Sequence, residues 1–200
     1  MIRNTAVTVC GPLNVNKLGV TYVHEHLMVK PQLPDEYYIP YTLDDEAAST
    51  EETRSFSAAG GETLVEMTPI NYGRNVKAYQ RIAQATGVHV ICCTGFNKQL
   101  FMPPWFDDKT DGELYDILMD EVTNGLDDTE IHPGVIKLGT SFEEVTAAEK
   151  RSIEAVARVH RDTGIPISTH CDKGTMGMDQ LRLLEKHGVD PKNVLLCHID

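Results

Sequence analysis

The chain has 200 residues and 41% apolar content, enough for the core of one α/β domain. Its 18 basic residues against 30 acidic ones give a formal net charge of −12, with no Lys/Arg cluster, which speaks against a nucleic-acid partner. No apolar run reaches the length of a membrane span. The start, Met1-Ile2-Arg3-Asn4, lacks the apolar stretch of a secretory signal, so a cytoplasmic protein is expected with no membrane partner. Its five cysteines form no C-x-x-C pair, which fits a reduced compartment and disfavours a zinc ribbon.

A short hairpin strand is predicted over residues 6–10, turning at Gly11-Pro12 and leading into strand one at 20–25. Residues 31–41, rich in proline and tyrosine, read as a long loop. A helix over 44–59 opens with the acidic pair Asp44-Asp45 and closes at Gly60-Gly61. Strand two is 63–67, followed by a helix over 75–86 that ends at Gly87. Strand three, 88–94, is β-branched and uniformly apolar, as a strand covered on both faces should be. A loop containing Pro103-Pro104-Trp105 precedes a helix over 110–125.

Strand four is 134–138. The next helix, 147–163, has Thr146 as N-cap and Glu149 three residues on, the signature of a capping box. Strands five and six, 165–169 and 194–197, flank a helix over 178–187 that stops at Gly188. Six strands with helix-length crossovers imply a parallel α/β sheet. A doubly wound sheet would more often carry a glycine-rich phosphate loop after strand one, where this chain has His24-Glu25-His26. A (β/α)8 barrel of TIM type is therefore preferred.

Ligand-like side chains recur near the ends of these apolar runs. Strand alternation points His24 and His26 to one face, about 7 Å apart by strand rise, with Glu25 opposite. A helical zinc-protease motif would need the histidines four apart. Lys137, His170 and His198 follow at intervals of about one strand-plus-helix unit, which gathers them on one rim of a barrel. Taken singly, each histidine is as readily a core residue bonded to backbone; together they point to a metal site. Lys137, flanked by apolar neighbours, is either a rim residue that snorkels or a functional amine. A desolvated amine can form a Schiff base, as in an aldolase, or add carbon dioxide to become a carbamate that bridges two metals. The neighbouring histidines favour the second role.

Several motifs, taken in order, resemble the phosphotriesterase family of the amidohydrolase superfamily. They are His24-x-His26, Val135-Ile136-Lys137-Leu138-Gly139-Thr140-Ser141, Ser168-Thr169-His170 and Leu196-Cys197-His198. The stretches Gly60-Gly61-Glu62-Thr63-Leu64-Val65-Glu66-Met67-Thr68, Ala85-Thr86-Gly87-Val88, Thr94-Gly95-Phe96 and Gly174-Thr175-Met176-Gly177 are similar too. The last looks most like the lactonase and phosphotriesterase-homology branches. The resemblance implies a (β/α)8 barrel holding two divalent metal ions, typically zinc. His24 and His26 would hold the buried metal, His170 and His198 the exposed one, and carboxylated Lys137 would bridge them. The implied reaction is hydrolysis of a lactone or related ester by a metal-bridging hydroxide, with phosphotriester hydrolysis as the alternative. A small-molecule substrate and a homodimer are further implications.

The resemblance also implies a catalytic aspartate at the end of strand eight, and that residue is absent from this chain. A typical barrel needs about 250 residues, so residues 1–200 read as one barrel domain lacking its last two strand–helix units. A non-catalytic metal-binding protein derived from such an enzyme is the competing reading. Asp200 reads as a loop carboxylate. Lys173 and Trp105 are expected substrate contacts, against surface and loop-staple roles. Glu66 and Asp172 are potential site carboxylates. Cys93, Cys171 and Cys197 read as packing residues, and His89, His132, His160 and His187 are left outside the site.

Overall fold

The computed structural model describes residues 4–31 and 41–199. Most of the expected 31–41 loop, and Asp200, lie outside the described residues. The chain divides into two compact units, the first of residues 1–68, 72–93 and 124–134, the second of 69–71, 94–123 and 135–200. No helix among the described residues is long and apolar enough to cross a membrane.

The first unit opens with an antiparallel hairpin, β1 (Thr5–Thr8) and β2 (Gly11–Asn14), in the register Thr5↔Asn14 to Thr8↔Gly11. Three parallel strands follow in the order β3 (Thr21–Glu25), β4 (Thr63–Glu66) and β5 (His89–Gly95). Helix α1 (Glu46–Ala58) joins the first two, and α2 (Val76–Thr86) the next two. Asp45 caps α1 by accepting from the amides of Ala47 and Ala48. Asn75 caps α2 at the amide of Ala78, and Gly87 closes it with a left-handed backbone. Val76, Tyr79, Ile82 and Ala83 lie on one face of α2 and are buried with Leu64 and Val90, so helical spacing in the sequence becomes core in the fold.

The register between β3 and β4 shifts between Tyr22 and Glu25, a bulge-like irregularity in the stretch that carries His24. Simple alternation of side chains along this strand therefore does not hold over its whole length.

In the second unit, β6 (Val135–Thr140), β7 (Ile167–Cys171) and β8 (Val194–Leu195) are parallel neighbours in that order. Helix α3 (Asp111–Asn124) precedes β6, α4 (Ala147–Thr163) joins β6 to β7, and α5 (Gly177–Lys186) lies between β7 and β8. All six residues of β6 are buried. The capping box at Thr146 and Glu149 is formed in full. Gly95 meets β6 closely: at φ +112° a Cβ there would stand 2.0 Å from the carbonyl oxygen of Lys137. Only glycine lets Phe96 N donate to that same oxygen at 3.2 Å.

Two expectations shift. Lys137, expected inside strand four (134–138) as a snorkelling rim residue or a functional amine, is the third of six residues in β6 and only 1% exposed, so it does not snorkel to a rim. The expected strand 194–197 is paired only over Val194–Leu195, and His198 beyond it takes a left-handed backbone with φ 58°. Residues 196–199 leave the ladder before the histidine.

Candidate metal centre

In the first unit, the rings of His24 and His26 stand 5.4 Å apart, edge to face. Both ring nitrogens of His24 are closed off from solvent. His26 Nδ1 lies 2.8 Å from the hydroxyl of Thr68, which donates at 2.6 Å to Glu66 Oε1. The Glu66 carboxylate is fully buried. It also accepts from the Leu27 amide at Oε1 and from the Thr68 amide at Oε2, each at 3.1 Å. Tyr72 meets His26 edge to face at 5.5 Å. Burial, reinforced by the charges of Tyr41 and Glu66, pushes the Tyr72 phenol up to about 12, so it stays neutral.

In the second unit, His170 on β7 and His198 after β8 have ring centroids 4.8 Å apart. His170 Nε2 is shielded from solvent and has no hydrogen-bond partner among the described residues. The Asp172 carboxylate is 4.0 Å from it and is itself held by Lys98 Nζ at 2.7 Å. The backbone oxygen of His170 accepts from Gln180 Nε2 at 2.9 Å. Burial first, then the charges of Lys137, His198 and Lys98, drive the His170 imidazole down to about 3, with Asp172 opposing. A lone pair held ready on a neutral, buried imidazole is what a divalent cation requires of a ligand.

The histidines thus come in pairs, one in each unit, with the Lys137 amine close enough to His170 to weigh on its charge. Among the described residues, no three His, Cys, Asp or Glu side chains form a ligand set by themselves. The shielded imidazole nitrogen of His170 fits a cationic group.

The remaining candidates fall into place individually. Trp105 is partly buried and packs on Phe96, with ring centroids 6.3 Å apart. Lys173 is exposed, with a left-handed backbone, and its ammonium sits 4.9 Å from the ring of Phe142. Cys171 contacts Gln180, Cys197 contacts Ser168, and Cys93 is buried, so these thiols pack rather than face the histidines. His160 is a helix residue on α4 whose Nδ1 bonds to the Ile165 carbonyl. Two contributors escaped sequence reasoning. Lys98 could have been suspected only from its place after strand three. Thr68 lies two residues past Glu66, beyond the end of β4, and was marked in the sequence only as the last residue of the stretch Gly60 to Thr68.

A family model described as the phosphotriesterase family matches residues 4–200, and the chain belongs to that family. A phosphotriesterase homology protein of Escherichia coli (strain K12) is 34% identical over 189 residues, covering 94% of this chain and 64% of that protein. A phospho-furanose lactonase of Mycoplasmopsis synoviae (strain 53) is 30% identical, covering all of this chain and 61% of its own length. The crystal structure of a lactonase from Listeria monocytogenes superposes with a TM-score of 0.92 at 30% identity, covering 98% of this chain and 65% of that one. The chain therefore spans less than two thirds of the length of these relatives. The fold class is α/β, the (β/α)8 barrel of TIM type, with six of its parallel strands among the described residues.

Proposed function

We propose that this chain carries the metal site of a binuclear metal-dependent hydrolase acting on a lactone or a related ester. The observation that carries the reading is the solvent-shielded, unprotonated His170 beside His198 and the buried amine of Lys137, with the His24–His26 pair as a second set of imidazoles. Family membership supports it, as does the lactonase activity named for two of the relatives. Residues 1–200 would form one barrel domain.

In this reading His24 and His26 would hold one cation and His170 and His198 another, with carboxylated Lys137 as a further ligand; zinc suits such imidazole ligands. When bound, the pair of cations would supply a water activated near neutral pH and a Lewis acid for the substrate oxygen. The Lys137 ammonium gives one proton to solvent, its neutral amine attacks carbon dioxide to form a C–N bond, and a second proton leaves to solvent. The residue changes from cation to anion. That change removes the positive charge now pressing on His170 and supplies the acidic ligand that the histidine pairs lack. Lys173 and Trp105 are proposed to touch substrate, Lys173 by offering its ammonium to an anionic group.

The test pairs metal analysis with lactone hydrolysis by the full chain. Lys137→Ala should lose hydrolysis and regain part of it with added short-chain carboxylates, and His24→Ala should lose at least one tightly held metal. Two tightly bound metals persisting in His24→Ala would refute the ligand set. The alternative is a metal-binding protein without turnover. Full metal loading with neither lactone nor phosphotriester hydrolysis would select it.

A further inference from the structure

We propose that Gln180 is a positioning residue for His170: from the start of α5 its side-chain amide holds the end of the β6–β7 ladder and so sets the backbone from which the imidazole projects. Gln180 is fully buried, and its Nε2 donates to Thr140 Oγ1 at 2.6 Å and to the backbone oxygen of His170 at 2.9 Å. A carbonyl can only accept, so the NH2 group must face His170, which leaves Oε1 to accept from the Cys171 thiol at 3.6 Å. One side chain thus binds the last residue of β6 and the last two of β7.

The end of β7 needs such a tie. The β7–β8 register ends at Ser168↔Leu195, whereas the β6–β7 register continues to Thr140↔Cys171, so His170 lies past the last rung on one side. The chain after β7 is irregular: Lys173, Gly174 and Met176 have left-handed backbones, at φ 49°, 75° and 63°. Non-glycine residues keep such angles only where their surroundings hold them. Helix α5 starts at the end of this stretch without a side-chain cap, since Met176 makes no capping hydrogen bond. It is seated against β7 instead: Gly177 is buried, and a Cβ there would lie 3.3 Å from Cys171 Sγ. That close seat brings Gln180 within reach of both strand ends. The His170 ring then meets the His198 ring, 4.8 Å away, from a fixed backbone. A ligand ordered before its cation arrives loses less freedom on binding. The consequence for metal rests on the hydrolase reading above; the hold on the imidazole can be measured without any metal.

The experiment uses the full chain, stripped of metal, with ¹³C-labelled histidine and ¹⁵N-labelled glutamine. In the wild type, His170 should give one sharp Cε1–Hε1 signal, assigned by its loss in His170→Asn. Both Nε2 protons of Gln180 should exchange with solvent far more slowly than those of an exposed glutamine. Fast exchange of that amide overturns the proposal, and this holds even if the variants fail to fold. Gln180→Met keeps the length of the side chain and removes its donors. Leu184→Ala, at a buried position on the same helix, loosens α5 and leaves the amide in place. The His170 signal should broaden or split in Gln180→Met and stay single in Leu184→Ala. An unchanged signal in folded Gln180→Met overturns the proposal, as does equal broadening in both variants, which marks a loosened helix alone. Zinc titration adds the metal readout: Gln180→Met should hold one zinc ion about 10- to 100-fold more weakly, the usual size for a lost outer partner, and Leu184→Ala close to wild type. Equal zinc affinity with an altered His170 signal refutes the role toward metal. A wild type that binds no zinc, yet shows the protected amide and the signal change, refutes the metal reading and leaves the hold of Gln180 on His170 standing.

Discussion

His170 shows how a single environment serves a ligand. Burial and the positive charges around it hold the imidazole neutral down to about 3, against its ordinary value of 6.5. The sign follows from proton linkage. Between those two values the unfolded chain binds a proton at this site and the folded chain does not, so stability is complete above 6.5 and declines as pH falls toward 3. In metal-free protein, the denaturant midpoint should drop over that interval more steeply for wild type than for His170→Asn. Equal slopes would mean that the ring titrates normally. Sequence spacing was enough to pick out His24, His26, His170 and His198 as candidates, and the structure pairs the rings of His24 with His26 and of His170 with His198. The grouping of Glu66, Thr68 and His26 was not legible, because it joins side chains 42 residues apart in the chain.

At the scale of elements, Glu149 does more than close a capping box. Its Oε2 accepts from the Thr146 amide at 2.8 Å. Its Oε1 accepts from the Gln99 amide at 2.9 Å and from the Ser141 hydroxyl at 2.6 Å. One fully buried carboxylate thus ties the start of α4 to the loops that follow β5 and β6. Thr146→Ala should cost about 1 kcal/mol, the usual loss for an N-cap. Glu149→Ala should cost more, on the order of 3 kcal/mol, since several donors are left without an acceptor. Urea denaturation of the two variants checks the order, and a reversal would remove the tie. The box itself was readable from the Thr146–Glu149 spacing. The loop partners were not, since they come from residues 8 and 50 positions away. The strand that carries Lys137 was expected to end at Leu138 and runs on to Thr140, because nothing local marks where pairing stops.

For the whole molecule, the alternation of apolar runs and helical stretches sufficed to select a parallel α/β fold, and the strand order follows the chain within each unit. The bulge in β3 and the early end of β8 were invisible, because both arise from how one strand meets its neighbour. The five cysteines give a global check. Cys10 is exposed, and Cys92, Cys93, Cys171 and Cys197 are buried, with burial pushing the Cys92 thiol up to about 12. A thiol-reactive dye should modify one cysteine quickly in the native chain and all five in denaturant. Fast modification of a second thiol would contradict this packing.

The Glu149 junction also reaches the imidazoles. Gln99, whose amide it grips, directly follows Lys98, and Lys98 secures the Asp172 carboxylate beside His170. A change at the root of α4 therefore carries through a short relay of polar contacts to the acid flanking a candidate ligand. Tuning of that histidine can be inherited from a helix cap that never approaches it, and the two loops cannot be redesigned independently of each other.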